Sequence, residues 1–360
     1  MVGAFLWSIS DVIQDACIKE DGGEDEHKDN DKKDLISISA LKSKHEERLS
    51  GIQGSLVSGL VMLFVVLFLH MIVGDKELYA YYDHYHQNAG ISDGQGPATG
   101  VHPKIITIAA VASGSLQCAH LIYFLKSFEG SSSTVIVPLM QLNSVFVLPF
   151  TIILSILSQF YPILAAFHKI ITFKHLLAFS LIFIGGFYPS LDGNLSTLTK
   201  ASFWRQYSVR QILISDFFIA VYYLLVSFCT NEPGAMSNKS FFILSIYGNC
   251  LTFLVLVVFL RQYRKAALSL MTLSRKYILL AVAGESFSLV GYFFVSISYH
   301  LYYNSGIVSA AEGALNQLFN LLLAISLKKL FNFGREVERI NEKLFSCLVV
   351  SIGLVLTSSM

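Results

Sequence analysis

The sequence predicts an all-α polytopic membrane protein with about ten transmembrane helices in two inverted five-helix repeats. Three observations carry this expectation. Apolar residues make up 54% of the chain and charged residues only 14%, against about 25% charged in a soluble domain. The charges are clumped, with ten acidic and seven basic residues between Lys19 and Arg48. The rest therefore runs in long uncharged stretches, and about 18 apolar residues in a row suffice to span a bilayer. These runs are continuous rather than alternating, which argues against a β-barrel.

In chain order the expected spans are 1–18, 52–73, 104–127, 131–160, 172–189, 210–230, 239–260, 277–300, 304–327 and 343–359. The first is short, about 27 Å at 1.5 Å per residue. Its stretch LWSISDVIQDACIK (Leu6 to Lys19) carries Asp11 and Asp15 one helical turn apart. DGGEDEHKDNDKKD, from Asp21 to Asp34, is a turn-forming mixed-charge tract of the kind that stays disordered. The chain divides into a first repeat at 1–190, a linker at 191–209 and a second repeat at 210–360. Within the first repeat, 19–51 is expected as a charged, disordered loop and 74–103 as a polar loop.

Lysine and arginine counts set the expected orientation. The side bearing the termini holds Lys76, Lys104, Lys169, Lys174 and Lys239, and the opposite side holds the other 21 of 26 basic residues. The basic loops after spans 1, 5, 7 and 9 are therefore predicted to be cytosolic. A net charge of +1 with no basic stripe excludes a nucleic-acid partner. The expected partners are the lipid bilayer and a small-molecule substrate, with no cofactor, and the oligomeric state stays open. Cys17, Cys118, Cys229, Cys250 and Cys347 form no CxxC pair and read as small core residues. The start of the chain lacks a basic n-region, which argues against a cleavable signal peptide.

The two halves echo each other. A shift of 173 residues places Leu142-Asn143 on Leu315-Asn316 and Phe146 on Phe319. SSSTVIVP and NSGIVSAA, each rich in small residues, precede these two spans. Ile9-Ser10-Asp11 recurs as Ile214-Ser215-Asp216, and Ile184-Gly185 as Ile352-Gly353. An odd number of spans per half inverts the second copy, and such inverted repeats place a transport site between the halves.

With these features the chain resembles the drug/metabolite transporter superfamily, whose members carry two EamA-type five-helix repeats. The resemblance is clearest over 105–190 and 278–358, and LWSISDV with Trp7 looks like that family's first helix. It implies a ten-helix carrier with alternating access. It also implies a central cavity lined by the first, third, fourth, sixth, eighth and ninth spans. The family keeps both termini in the cytosol, whereas the Lys/Arg bias here places them on the opposite side.

Ionisable groups inside spans are expensive and are functional candidates by default. Asp11, Asp216, Glu285, Glu312 and His120 stand out, with Asp15 and His300 behind them. Glu285 and Glu312 should lie near the midplane, about 13 Å from opposite faces. One reading places Glu285, Glu312 and Asp11 on a wet cavity, where they bind a cation or amine or exchange a proton. The other makes them carboxyl groups hydrogen-bonded to a neighbouring helix. Gln141, Asn143, Asn316 and Gln317 read either as interhelical amide bonds or as a paired site at the pseudo-twofold axis. Pro138 and Pro149 are expected to kink the fourth span. Ser113, Gly114, Ser115 and Gly291 are expected to allow close helix approach, and Tyr299, Tyr302 and Tyr303 to form an interfacial belt. His84 and His86 in the loop YYDHYHQ are a weak metal pattern, and no metal site is assigned.

The expected function is a secondary transporter of a small organic solute or metabolite, with or without proton coupling. The alternative is a divalent-cation carrier or channel on the same fold. A membrane-embedded enzyme ranks lower, because no GxSxG elbow, HExxH or matched Ser/His pair occurs.

Overall fold

A computed structural model describes residues 1–18, 48–82, 101–131, 136–137, 139–167, 173–188, 200–231, 236–301, 305–331 and 340–358. Every regular element among them is helical, with one isolated bridge joining Ile18 to Leu49. The ten longer helices are α1 (Val2–Cys17), α2 (Gly51–Leu78), α3 (Pro103–Ser127), α4 (Asn143–Leu157), α5 (Phe173–Phe187), α6 (Tyr207–Asn231), α7 (Asn238–Phe259), α8 (Arg275–Leu301), α9 (Ser305–Phe331) and α10 (Ile340–Ser358).

Among the described residues, five helices are long and apolar enough to cross a membrane: α2, α3, α6, α7 and α8. The chain is thus an all-α membrane protein. The outer surface of α2 shows why water is the wrong solvent. Leu60, Leu63, Phe64, Leu67, Phe68 and Met71 recur at helical spacing, and all are exposed. On its opposite face Ser58, Met62 and Val66 are buried. A stripe that apolar on a soluble surface would be an association site; in a bilayer it is the natural lipid face.

Helix starts follow local chemistry. Ser50 caps α2 through a reciprocal capping box with Gln53, its hydroxyl accepting from Gln53 N at 3.3 Å and its N–H donating to Gln53 Oε1 at 2.8 Å. Pro103 opens α3, where a missing N–H costs nothing. Ser237 caps α7 by accepting from Ser240 N.

Several expectations need correction. Residues 48–50, expected within the disordered loop, pin α1 to α2: Leu49 is fully buried and Leu49 N donates to Cys17 O. Residues 19–47 lie outside the described residues, as do His84, His86, Tyr302 and Tyr303. The polar loop begins later than 74, because α2 continues to Leu78 and Tyr81 is buried. The linker 191–209 holds a short helix, Ala201–Arg205, and α6 starts at Tyr207. The fourth span is not one helix from 131. A 3-10 turn at Met140–Leu142 precedes α4, which keeps Pro149 in its interior. Pro138 is outside the described residues.

Gly74 sits inside α2 at φ 72°, ψ 162°, a conformation open in practice only to glycine. A Cβ there would meet nothing within 4 Å, so any substitution cost is backbone strain alone. Gly74→Ala is expected to destabilise the chain by about 1–3 kcal/mol in detergent unfolding, with Val73→Ala as the mild control.

The helices pack in a definite set of pairs. α1 lies on α8 and α9, and α6 lies on α3 and α4. α3 also packs on α7, and α2 on α8. α2 meets α7, α4 meets α9, and α5 meets α10. The α3–α7 seam depends on two glycines. A Cβ on Gly114 would lie 1.8 Å from Ser245 O, and one on Gly248 would lie 1.9 Å from Val111 O. Both helices therefore need a bare backbone at their crossing, as expected of Gly114 from the sequence. Cys17, Cys118, Cys229 and Cys250 are free thiols, and the first three are buried.

Candidate functional site

Where the helix pairs converge, a small cavity of about 20 Å³ remains. That is room for about one water molecule. α1 supplies Trp7, Asp11 and Gln14, at the 3- and 4-residue spacing that puts side chains on one helix face. α3 supplies His120, Leu121 and Phe124, and the turn before α4 supplies Met140. Tyr223 comes from α6, Ser288 and Tyr292 from α8, and Asn316 from α9.

Asp11 is held from α9. Asn316 Nδ2 donates to Asp11 Oδ2 at 3.1 Å, while Asn316 Oδ1 accepts from the Ser8 hydroxyl at 2.6 Å. Ser8 has two further acceptors in reach, Asn316 O and Ala4 O, both at 2.9 Å. Trp7 Nε1 donates to Ser288 O at 3.0 Å, and its ring meets Tyr292 edge-on at 4.6 Å. These contacts lock α1 against α8 and α9, so the Asp11 carboxylate faces protein rather than lipid.

His120 is fixed by α6. Ser215 Oγ lies 2.8 Å from His120 Nδ1 and donates to His120 O at 3.0 Å. With the hydroxyl hydrogen used on the carbonyl, Nδ1 is the donor back to Ser215, and Nε2 is left as an acceptor. Phe124 stacks on the ring at 5.7 Å.

Glu312 stands one hydrogen bond from the cavity. Tyr223 O–H donates to Glu312 Oε1 at 2.8 Å, and Tyr223 stacks on Tyr299 at 4.5 Å. Tyr299 is fully buried, so its assignment to an interfacial belt is overturned. The aromatic run at the end of α8 turns inward at this residue to cover Tyr223.

The other candidates separate from the cavity. Glu285 is one turn before Ser288 and faces α2, where Ser58 Oγ donates to its Oε2 at 2.7 Å. Glu285 is not among the residues that line the cavity, and its carboxyl group is held by Ser58 of α2 instead. Asp216 is fully buried on α6, two turns before Tyr223, and neither carboxylate oxygen has a hydrogen-bond partner among the described residues. Gln317 points to α10, its Nε2 donating to Ser346 Oγ at 2.7 Å, while Ser346 Oγ donates to Gly185 O. The amide next to Asn316 thus joins α9 to the α5–α10 pair, because one residue turns a helix by about 100°. Asn143 is buried at the first residue of α4, one turn beyond Met140, and does not line the cavity. The side chain of Gln141 lies outside the described residues.

Against Asp11, Asp15, Asp216, Glu285 and Glu312, all buried, stands one buried lysine among the described residues, Lys343 on α10. The interior is therefore rich in acid groups and poor in bases. Among the described residues no group of three His, Cys, Asp or Glu side chains is placed to hold a metal ion.

A search for ionisable groups missed Gln14, Ser288, Tyr223 and Tyr292. The signal available was spacing: Trp7, Asp11 and Gln14 share a face. In the structure Gly291 packs against this face, where a Cβ would lie 2.3 Å from Trp7 Cδ1. Gly291→Ala is expected to push the indole out of place and cost about 1–3 kcal/mol. In a Trp204→Phe background Trp7 is the sole tryptophan, and its emission should move to longer wavelength.

No protein-family model matches the chain, and no curated protein matches it.

Proposed function

We propose that the chain is a secondary transporter that moves a small organic solute across a membrane by alternating access. The observation that carries this reading is the cavity, to which α1, α3, the approach to α4, α6, α8 and α9 all contribute. The first three of these belong to the first half of the chain and the last three to the second. These are the spans that the resemblance to drug/metabolite transporters assigns to a central site.

The packing supports two repeats of opposite topology and ten spans. Exchange α1 with α6, α2 with α7, α3 with α8, α4 with α9 and α5 with α10. The pair α1–α8 then becomes α6–α3, α1–α9 becomes α6–α4, and α2–α8 becomes α7–α3, each of which occurs. The pairs α2–α7, α4–α9 and α5–α10 map onto themselves. Inverted repeats that exchange in this way rock against each other around a fixed central site. A cavity of about 20 Å³ is far below the roughly 300–1,000 Å³ of small-ligand sites. Admitting a solute therefore requires the two halves to part, which is the step alternating access provides.

The excess of buried carboxyl groups over buried lysines among the described residues favours protons or a cationic solute over an anion. The side bearing Arg261, Arg264 and Lys265 is read as cytosolic from its basic excess.

The test is uptake into proteoliposomes holding the full chain, across amines, amino acids and nucleotide-sugar-like anions, with and without a pH gradient. Uptake of at least one class above empty vesicles supports the reading. Background uptake throughout the panel, from protein that is monodisperse and folded, rejects it.

A further inference from the structure

A second cavity lies on the outside of the bundle. It is an apolar groove of about 650 Å³ between α2 and α7, floored by the segment that joins α7 to α8. Leu60 and Leu63 line one wall, Leu254 and Val257 the other, and Leu270 and Met271 close one end. The volume falls within the range of ligand sites, roughly 300–1,000 Å³. Along α7 the lining runs from Tyr247 to Val257, about 15 Å at 1.5 Å per residue. That is half of the roughly 30 Å hydrocarbon thickness, the depth of one leaflet.

The connector that lends Ala267, Leu270 and Met271 to the groove is strongly basic. The connector from Arg261 to Lys276 carries Arg261, Arg264, Lys265, Arg275 and Lys276 and no acidic residue. Its helix, Arg261–Ser269, is held against the bundle by buried Tyr263 and by Gln53 Nε2 donating to Ser269 Oγ at 2.8 Å. Arg264, Ala267, Leu268 and Met271 fall at helical spacing on one outward stripe, with Leu268 and Met271 largely exposed. This segment carries Arg261, Arg264 and Lys265 together with the exposed apolar Leu268 and Met271, the composition of a helix lying at the membrane surface.

We infer that this groove is a binding site for an anionic glycerophospholipid. One acyl chain lies between α2 and α7, and the headgroup phosphate lies against Arg261, Arg264 and Lys265. Apolar depth alone would accept any lipid tail. The basic cluster at the leaflet surface supplies the choice of headgroup, because guanidinium and ammonium groups pair with phosphate and anionic headgroups concentrate near basic segments.

The experiment is native mass spectrometry of the full chain in mild detergent, given equal amounts of dioleoyl phosphatidylglycerol and dioleoyl phosphatidylcholine. The expected result is retention of the anionic lipid by at least about tenfold over the zwitterionic one. R261Q/R264Q/K265Q, which alters only exposed side chains, should bring the two to parity. Leu254→Trp, at a lipid-facing groove position, should reduce retention of both lipids. Equal retention by the unaltered chain overturns the proposal, as does a preference that survives the triple substitution. Displacement of the lipid by millimolar inorganic phosphate, or full retention in Leu254→Trp, would make this a headgroup contact without an acyl site and also overturns it.

Discussion

Gly114→Val is expected to leave no folded chain. A Cβ at Gly114 would lie 1.8 Å from Ser245 O and 2.6 Å from Asn249 N. Both are backbone atoms of α7, so no rotamer change relieves the contact. The two helices would have to separate by more than about 1 Å, which also breaks the reciprocal approach of Gly248 to Val111 O. Overpacking a core costs about 1–3 kcal/mol where side chains can yield. Here they cannot, and α3 also carries the contacts to α6 that position His120. The measurement is monodisperse yield on size exclusion with detergent unfolding. Gly54→Ala is the control, because its Cβ would meet the flexible end of Leu125 at 3.4 Å. Normal yield and stability for Gly114→Val would show that α3 and α7 do not cross at this point.

Asp11→Asn is expected to abolish transport while leaving the fold in place. The substitution keeps the size of the side chain and an oxygen able to accept from Asn316 Nδ2, so the α1–α9 contact survives. What it removes is the charge and the exchangeable proton at the cavity. Removing the charge from a buried hydrogen-bonded pair costs about 2–5 kcal/mol of recognition, so uptake should fall by at least about 30-fold. Thermal unfolding should stay within about 1 kcal/mol of the unaltered chain. Glu312→Gln should behave in the same direction through Tyr223, since an amide oxygen still accepts from the phenol. Full uptake by Asp11→Asn would remove Asp11 from the transport step.

The elements were largely legible in the sequence because the dominant signal was a solvent preference. Runs of apolar residues mark helices whatever their packing, and the expected 104–127 and 239–260 match α3 and α7 to within a residue. The connector helix Arg261–Ser269 was not legible in the same way, since its five polar or charged residues read as a loop. It is amphipathic on a scale of two turns, too short for the pattern to stand out. The start of α4 was misplaced because an apolar run says nothing about where a 3-10 turn interrupts it.

The site was half legible. Asp11, His120 and Asn316, singled out by the cost of burying polar groups, all line the cavity, while Glu285 and Glu312, placed beside Asp11 on the same argument, do not. Glu285 and Gln317 are equally polar and equally buried, yet they serve other seams. Sequence depth along a helix separates none of these cases, because the deciding variable is which neighbour lies on that face. Tyr223, Tyr292 and Tyr299 were hidden for the opposite reason. Tyrosine is common at membrane interfaces, so its presence inside carries little signal until the packing is seen.

The Ser8 hydroxyl has one hydrogen and three acceptors within 2.9 Å, two on α9 and one on its own helix. A hydroxyl donates to one acceptor at a time and rotates freely among them. If α9 were to withdraw, that hydrogen could turn to Ala4 O, so the Ser8 donor itself would not be stranded, whereas Asn316 Nδ2 would lose Asp11 Oδ2. The Ser8 hydroxyl is thus a contact of this seam that carries its own fallback acceptor on α1. At Ser8 a separation would cost about the net value of one hydrogen bond, roughly 1 kcal/mol, instead of the larger penalty of an orphaned hydroxyl.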